Sequence, residues 1–264
     1  VQILNADDPI GAAWLNELAN GIAVSCRPDF QPTSKQWLYA TQIRFTHEGA
    51  VIDVASSWGN GTLHSPLIGA FNVSNLLLAT AVLLALGYSF DDLIRTVSQL
   101  KGVNGRMELI KKAGKPTVIV DYAHTPDAVE NVLSTICGLK GRDNQVITVV
   151  GAGGDRDKTK RPEMADAACR YSDHVILTSD NPRSEDPEQI IRDMLTGVKE
   201  GFQYRVEAIT DRKEAIRKAI GMASKGDIIL VAGKGHENYQ EVKGVKHHFD
   251  DKEVIREIFD LSNR

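Results

Sequence analysis

The sequence predicts an α/β protein whose last 160 or so residues form a doubly wound, mostly parallel sheet. Two observations carry this expectation. Apolar, β-branched runs recur at regular intervals, and stretches of helical period lie between them. The runs are also continuous rather than alternating, as strands buried on both faces of a parallel sheet require.

The first 100 residues read differently. "NADDPIGAAWLNELA" reads as a strand end running into a helix. "WLYATQIRFTHEGAVIDVASSWGNGTLHSPLIG" reads as antiparallel strands joined by "HEG" and "GNG" turns. "NVSNLLLATAVLLALG" is an apolar helix ended by Gly87, with Asn72 at its start as a cap or a ligand contact. "SFDDLIRTVSQL" is a second helix with Ser89 as its cap. "KGVNGR" is a Gly-rich seam, so we place the domain boundary at residues 1–103 and 104–264.

Beyond the seam, strands are expected at "PTVIVDY", "QVITVVG", "DHVILTS", "YRVEAIT" and "DIILVAG". The helices between them are "TPDAVENVLSTICGL", "KRPEMADAACRYS", "DPEQIIRDMLTGV" and "DRKEAIRKAIGMAS". Thr125-Pro126 and Asp186-Pro187 each set a capping residue before a proline at the first helical position.

Composition narrows the function classes. At 42% hydrophobic and 25% charged, the 264 residues suit one large or two modest soluble domains. A net charge of −4 and scattered basic residues give no field for nucleic acid. Cys26, Cys137 and Cys169 are odd in number and far apart, which argues against a disulfide framework or zinc cluster and for reduced thiols in a cytosol. The longest apolar run is about a dozen residues, too short to span a bilayer. The chain opens inside an apolar run without Met, as an interior segment of a longer chain would.

In open parallel sheets, ligands bind beyond the carboxyl ends of the strands. Four of the five expected exits carry chemistry-bearing residues: "DYAHTP", "GAGGDRDKTKRP", "SDNPRSED" and "AGKGHENYQ". "GAGGDRDKT" is neither GxGxxG nor a Walker A loop, and no GxxxxGK[ST] occurs elsewhere. Its glycines still permit close approach to an anion. The alternative is that Asp155 and Asp157 simply pair with Arg156 and Lys158. Arg183 has the fork that binds carboxylate or phosphate, and Asp180 and Asn181 offer acceptors for an ammonium. Together they suit a zwitterion such as an amino acid. The alternative for Arg183 is a surface ion pair with Glu185 or Asp186. Gly233, Lys234 and Glu237 form a second zwitterion-sized set, or else a glycine cap with solvated charges.

His124 follows Asp121 and Tyr122, either to stack on a base or to pack on a helix start. With no GxSxG and no cysteine in a matching loop, nucleophilic catalysis is disfavoured. His247-His248 beside Asp250-Asp251 read as a hairpin or helix cap before a metal site. Asn5, Asp7, Asp8, Asn75 and Arg106 stand at further strand or helix ends or in the seam.

"NADD", "GAFNVSNLLLA", "GRME", "DYAHTPDAVE", "GGDRDKTKRP", "DNPR" and "AGKGHENYQ" occur in that order across nearly the whole chain. The set resembles the Mur ligases of peptidoglycan synthesis, and among them those that add meso-diaminopimelate. The resemblance implies the C-terminal part of a central ATPase domain followed by a Rossmann-like C-terminal domain. It implies an ATP- and Mg2+-dependent amide ligase acting on a UDP-N-acetylmuramoyl dipeptide. The dipeptide carboxylate is phosphorylated, and the diaminopimelate amine attacks the acyl phosphate. It implies a cytoplasmic monomer. Arg156, Asp180, Asn181, Pro182, Arg183, Gly233 and Glu237 match diaminopimelate-binding positions; Asn75, Arg106, Asp121 and Asn5 match the nucleotide side. No catalytic side chain and no metal ligand is carried over. Arg183 is expected to choose diaminopimelate over lysine, which lacks the distal carboxylate. The family's first domain, Walker A loop and carbamylated lysine are missing here, so these residues alone are not expected to catalyse ligation. Alternatives are a non-catalytic amino-acid-binding module or a related ligase such as a folylpolyglutamate synthase, against which "DNPR" and "GKGHE" argue.

Overall fold

The computed structural model describes residues 1–46 and 49–261, which divide into two compact units, Val1–Gly102 and Val103–Arg264. In the first unit the chain runs β1 (Gln2–Asn5), α1 (Pro9–Glu17), β2 (Gly21–Ser25), β3 (Gln36–Thr46), β4 (Gly49–Ser56), β5 (Gly59–Ser65), α2 (Ala70–Ala85) and α3 (Phe90–Val97). The five strands form one sheet in sequence order. β1, β2 and β3 are parallel, and β3, β4 and β5 are antiparallel. Ile22, Leu38, Ile52 and Leu63 from four strands meet Leu77, Ala81 and Leu84 of α2 and Phe90, Leu93 and Val97 of α3. Each such fully buried aliphatic chain contributes about 1.5–3 kcal/mol.

Three local expectations need correction here. The turn from β4 to β5 is Ser57-Trp58, not "GNG": Ser56 pairs directly with Gly59, and its hydroxyl donates to Gly59 O at 2.6 Å. The cap of α2 is Gly69, because the Asn72 amide donates back to Ile68 O at 2.8 Å rather than accepting a helix N–H. Ser89 does stand at the cap position of α3, but its hydroxyl makes no capping bond. In the "HEG" turn, His47 and Glu48 lie outside the described residues.

The second unit runs β6 (Glu108–Ile110), β7 (Thr117–Asp121), α4 (Pro126–Leu139), β8 (Val146–Ala152), α5 (Lys160–Tyr171), β9 (His174–Ser179), α6 (Pro187–Leu195), β10 (Val206–Ala208), α7 (Arg212–Met222), β11 (Ile228–Ala232), β12 (Tyr239–Val242), β13 (Val245–His248) and α8 (Asp251–Leu261). Its main sheet has the order β10-β9-β8-β11-β7-β6, parallel except for β6. α7 and α8 cover one face over Val118, Val120, Ile147, Val149, Ile229 and Val231. Side chains alternate along each strand, so the intervening residues face α4, α5 and α6. The doubly wound architecture is therefore present.

The addition is β6; the hairpin β12–β13 carries His247 and His248, the hairpin being one of the two readings expected for them. "YRVEAIT" yields only the three residues of β10, since residues 203–205 are coiled into a 3-10 turn. Thr125 and Asp186 both cap as expected, accepting from Ala128 N and Glu188 N. Among the described residues no helix is long and apolar enough to cross a membrane.

Candidate functional site

β9, β8, β11 and β7 are neighbours in the sheet, so their four exits open on the same side. Residues from all four line one cavity of about 170 Å³: Tyr122 and His124 after β7, Gly153 and Arg156 after β8, Asp180, Asn181 and Arg183 after β9, Gly233 and Glu237 after β11. Lys160, at the start of α5, completes the wall. Arg156, Lys160 and Arg183 supply positive charge, and Glu237 and Asp180 supply carboxylates. A cavity with cations and carboxylates on its wall suits a zwitterion.

The β9 exit is shaped by the hairpin. Arg183 N donates to Glu241 O at 3.0 Å, and Lys243 N donates to Arg183 O at 2.6 Å, so Arg183 forms a bridge beside Val242. This grip holds Arg183 at φ +51°, in the left-handed region that side-chain-bearing residues seldom occupy. Its Nη1 donates to Gly154 O at 2.8 Å, and its Nε lies 3.9 Å from Glu241. Nη2 carries no hydrogen bond among the described residues. Among the described residues Arg183 pairs with neither Glu185, which is taken by Arg161 and Lys158, nor Asp186, which is taken by Arg192. Pro182 is buried against Gly154 and shapes the loop without lining the cavity.

The β8 exit likewise departs from simple charge pairing. Asp155 accepts from Ser184 N and Oγ, Asp157 from Thr159, and Lys158 goes to Glu185. Arg156 is exposed, and among the described residues it bonds the carbonyl of Asp155.

At the β11 exit Gly233 has φ +117°, and a Cβ there would collide with the Asp180 carboxylate. Lys234 corrects an expectation. It is fully buried, with Nζ on Tyr239 O at 2.6 Å and Asn181 Oδ1 at 3.1 Å, and it does not face the cavity. Asp180 Oδ1 and Glu237 Oε2 lie 3.8 and 3.7 Å from it. Burial pulls this ammonium below the ordinary lysine value, and burial pushes the Asp180 carboxyl up. Asn181 Oδ1 thus serves an ammonium of the protein itself, while Nδ2 donates to Glu237 Oε2 at 2.8 Å.

The β7 exit forms an aromatic wall. Tyr122 lies 4.7 Å from the His124 ring, 5.1 Å from that of His236 and 4.8 Å under the Arg106 guanidinium. Asp121 is buried, and its carboxylate accepts from Met107 N and Ala123 N. Burial raises its pKa and those two bonds oppose the shift. Asp121 therefore pins the seam beside the strand end. Gly105, in that seam, abuts Gly235 and His236 so closely that a Cβ would strike their backbone.

Asn5 and Asn75 belong to the first unit. Asn5 Oδ1 accepts from Asp7 N, Asp7 accepts from Ser25 Oγ and Cys26 N, and Asp8 caps α1. Asn75 is exposed on α2. His247 and His248 lie on β13, where His248 contacts Glu253 at 2.6 Å while Asp251 is buried against Arg212.

Sequence reasoning missed Lys160, although its place just after "GGDRDKT" was a usable signal. It also missed the buried Arg212–Asp251 pair and the triad of Arg161 with Glu185 and Asp193. Nothing in the local sequence marks Arg161, Arg212 and Asp251 as buried. Among the described residues no group of three or more His, Cys, Asp or Glu side chains is placed to hold a metal ion.

Comparison with known proteins gives a consistent result. The family model for the Mur ligase middle domain matches residues 1–83, and that for the Mur ligase, glutamate ligase domain matches residues 105–235. Over 254 residues the chain is 50% identical to the UDP-N-acetylmuramoyl-L-alanyl-D-glutamate–2,6-diaminopimelate ligase of Haemophilus influenzae, covering 96% of this chain and 51% of that protein. The protein of the same name from Haemophilus ducreyi is 48% identical over 257 residues, covering 96% and 50%. A solved structure of a ligase of this name aligns with a TM-score of 0.68 at 39% identity, covering 99% of this chain and 53% of that one. A folylpolyglutamate synthase of Mycobacterium tuberculosis, at 19% identity and TM-score 0.62 over 80% of this chain and 52% of that one, shares the fold. The chain spans about half the length of the curated relatives it matches.

Proposed function

The chain belongs to the Mur ligase family, and from that premise we propose that its second unit binds meso-diaminopimelate for an ATP-dependent amide ligase. The ligase joins that amino acid to UDP-N-acetylmuramoyl-L-alanyl-D-glutamate in peptidoglycan synthesis, as a cytoplasmic monomer. The observation that carries the reading is the cavity at four adjacent strand exits, with Arg156, Lys160 and Arg183 set against Glu237 and Asp180. Arg183 takes the distal carboxylate through the fork left beside its bond to Gly154 O. Glu237 and Asp180 supply the negative charge that an ammonium seeks. The protein's part is to bind and orient the amine for attack on an acyl phosphate, which needs positioning rather than a nucleophilic side chain.

On this reading Asn5 and Asn75, in the first unit, and Arg106 and Asp121, in the second, serve the nucleotide side. For Asp121 that service is indirect, since its carboxylate is already bonded to Met107 N and Ala123 N. Magnesium would be held chiefly by the phosphates of ATP, since among the described residues no group of three or more His, Cys, Asp or Glu side chains is placed to hold a metal ion. The chain carries no GxxxxGK[ST] loop, and on this reading these residues bind the amino acid without turning over ATP alone.

Titration calorimetry of the chain with meso-diaminopimelate and with L-lysine tests the assignment. Binding of diaminopimelate in clear preference to lysine is expected, with Arg183→Ala and Arg183→Lys each weakening it about tenfold or more. Unchanged binding by Arg183→Ala would remove Arg183 from the site.

A further inference from the structure

We propose that Lys234 is a positioning residue whose buried ammonium fixes the orientation of Asn181 and, through it, of Glu237. The inference rests on the cavity being an amino-acid site.

Lys234 lies between Gly233 and Gly235, both at positive φ, a backbone path that turns its side chain into the protein while Glu237 lines the cavity. Four oxygens surround its Nζ: Tyr239 O, Asn181 Oδ1, and the carboxylates of Asp180 and Glu237. The two hydrogen bonds go to the neutral oxygens, and the carboxylates stand further off, beyond 3.5 Å. The lysine is therefore not simply one half of an ion pair.

Its effect on Asn181 is directional. Asn181 Oδ1 accepts from both Lys234 Nζ and Glu241 N, the latter at 2.9 Å. Flipping the amide would turn its NH2 group toward two donors, so one orientation is allowed. In that orientation Nδ2 reaches Glu237 Oε2 at 2.8 Å and sets where this carboxylate stands on the cavity wall. Without the ammonium, one constraint on the amide is lost, and Asp180 and Glu237 lose the cation between them. The low-dielectric surroundings of a fully buried group make that loss large. The lysine thus joins the β9 exit, the β11 exit and the hairpin at one point.

Two readouts test this, one of them independent of any ligand. In nitrogen–proton spectra of the unsubstituted, ligand-free chain, the Asn181 side-chain amide is expected to be exchange-protected, with through-space contact to the Lys234 ammonium. An unprotected amide without that contact would overturn the proposal, and this arm needs no variant to fold. In Lys234→Met and Lys234→Gln the protection should weaken, with partial recovery in Lys234→Arg. The affinity for meso-diaminopimelate should fall about tenfold or more and recover in the arginine variant. Melting temperatures of all the variants separate this loss from unfolding. A folded Lys234→Met chain with an unchanged Asn181 amide and unchanged affinity would refute the proposal. If the unsubstituted chain binds no diaminopimelate, the ligand assignment fails, while the amide spectra still decide the role of Lys234.

Discussion

Arg183 occupies a conformation that costs an L-residue about 1–2 kcal/mol, and the bridge to the hairpin is what keeps it there. Strain of this kind at a cavity wall separates stability from binding. In Arg183→Gly the strain is relieved, but the unfolded chain gains freedom. The expected change in stability is therefore within about 1 kcal/mol, while preference for diaminopimelate over lysine disappears. Chemical denaturation and calorimetry on the same variant check both halves. That Arg183 stands at a strand exit was legible from "DNPR" after an apolar run. That a hairpin some 60 residues away dictates its backbone was not, because such pairing leaves no local mark. Lys234 shows the same limit from the other side. A lysine between glycines reads as a solvated charge, and only the folded loop reveals that it points inward.

At the scale of elements, the β8 exit, the β9 exit, α5 and α6 are tied by Arg161, which is fully buried and bonds Gly153 O, Glu185 and Asp193. The Arg161 hydrogen bonds are the main cause that holds the Glu185 carboxyl down at about 2 from an ordinary 4.5, despite an opposing desolvation effect. A carboxylate whose pKa is depressed by folding adds stability that is fully present above its unfolded value. That stability drains away as pH falls from about 4.5 to about 2. Glu185→Gln should therefore destabilise the protein at pH 7 and much less at pH 2.5. Thermal melts of both forms at the two pH values measure this, and an equal loss at both would contradict the account. The long parallel strands were legible because burial on both faces demands unbroken apolar runs. β6 was not, since three residues carry too little pattern, and β10 was expected within "YRVEAIT" but came out shorter than that run. The turn before β5 was misplaced for a related reason. Glycines mark turns on average, but here the Ser56–Gly59 pair closes a two-residue loop just ahead of them.

At the scale of the whole molecule, each unit encloses its own apolar core. Residues 103–264 expressed alone should therefore unfold in one cooperative transition, as scanning calorimetry would show. A broad, non-cooperative trace would mean that this unit depends on the first. The order of strands has one further consequence. In the second unit the outermost strands, β6 and β10, have three residues each, too short a row of backbone groups for another chain to pair with. In the first unit the outermost strands are β1, with four residues, and β5, with seven. Strand addition by another chain is therefore expected along the flank of β5 rather than along β6 or β10 of the unit that holds the four-exit cavity.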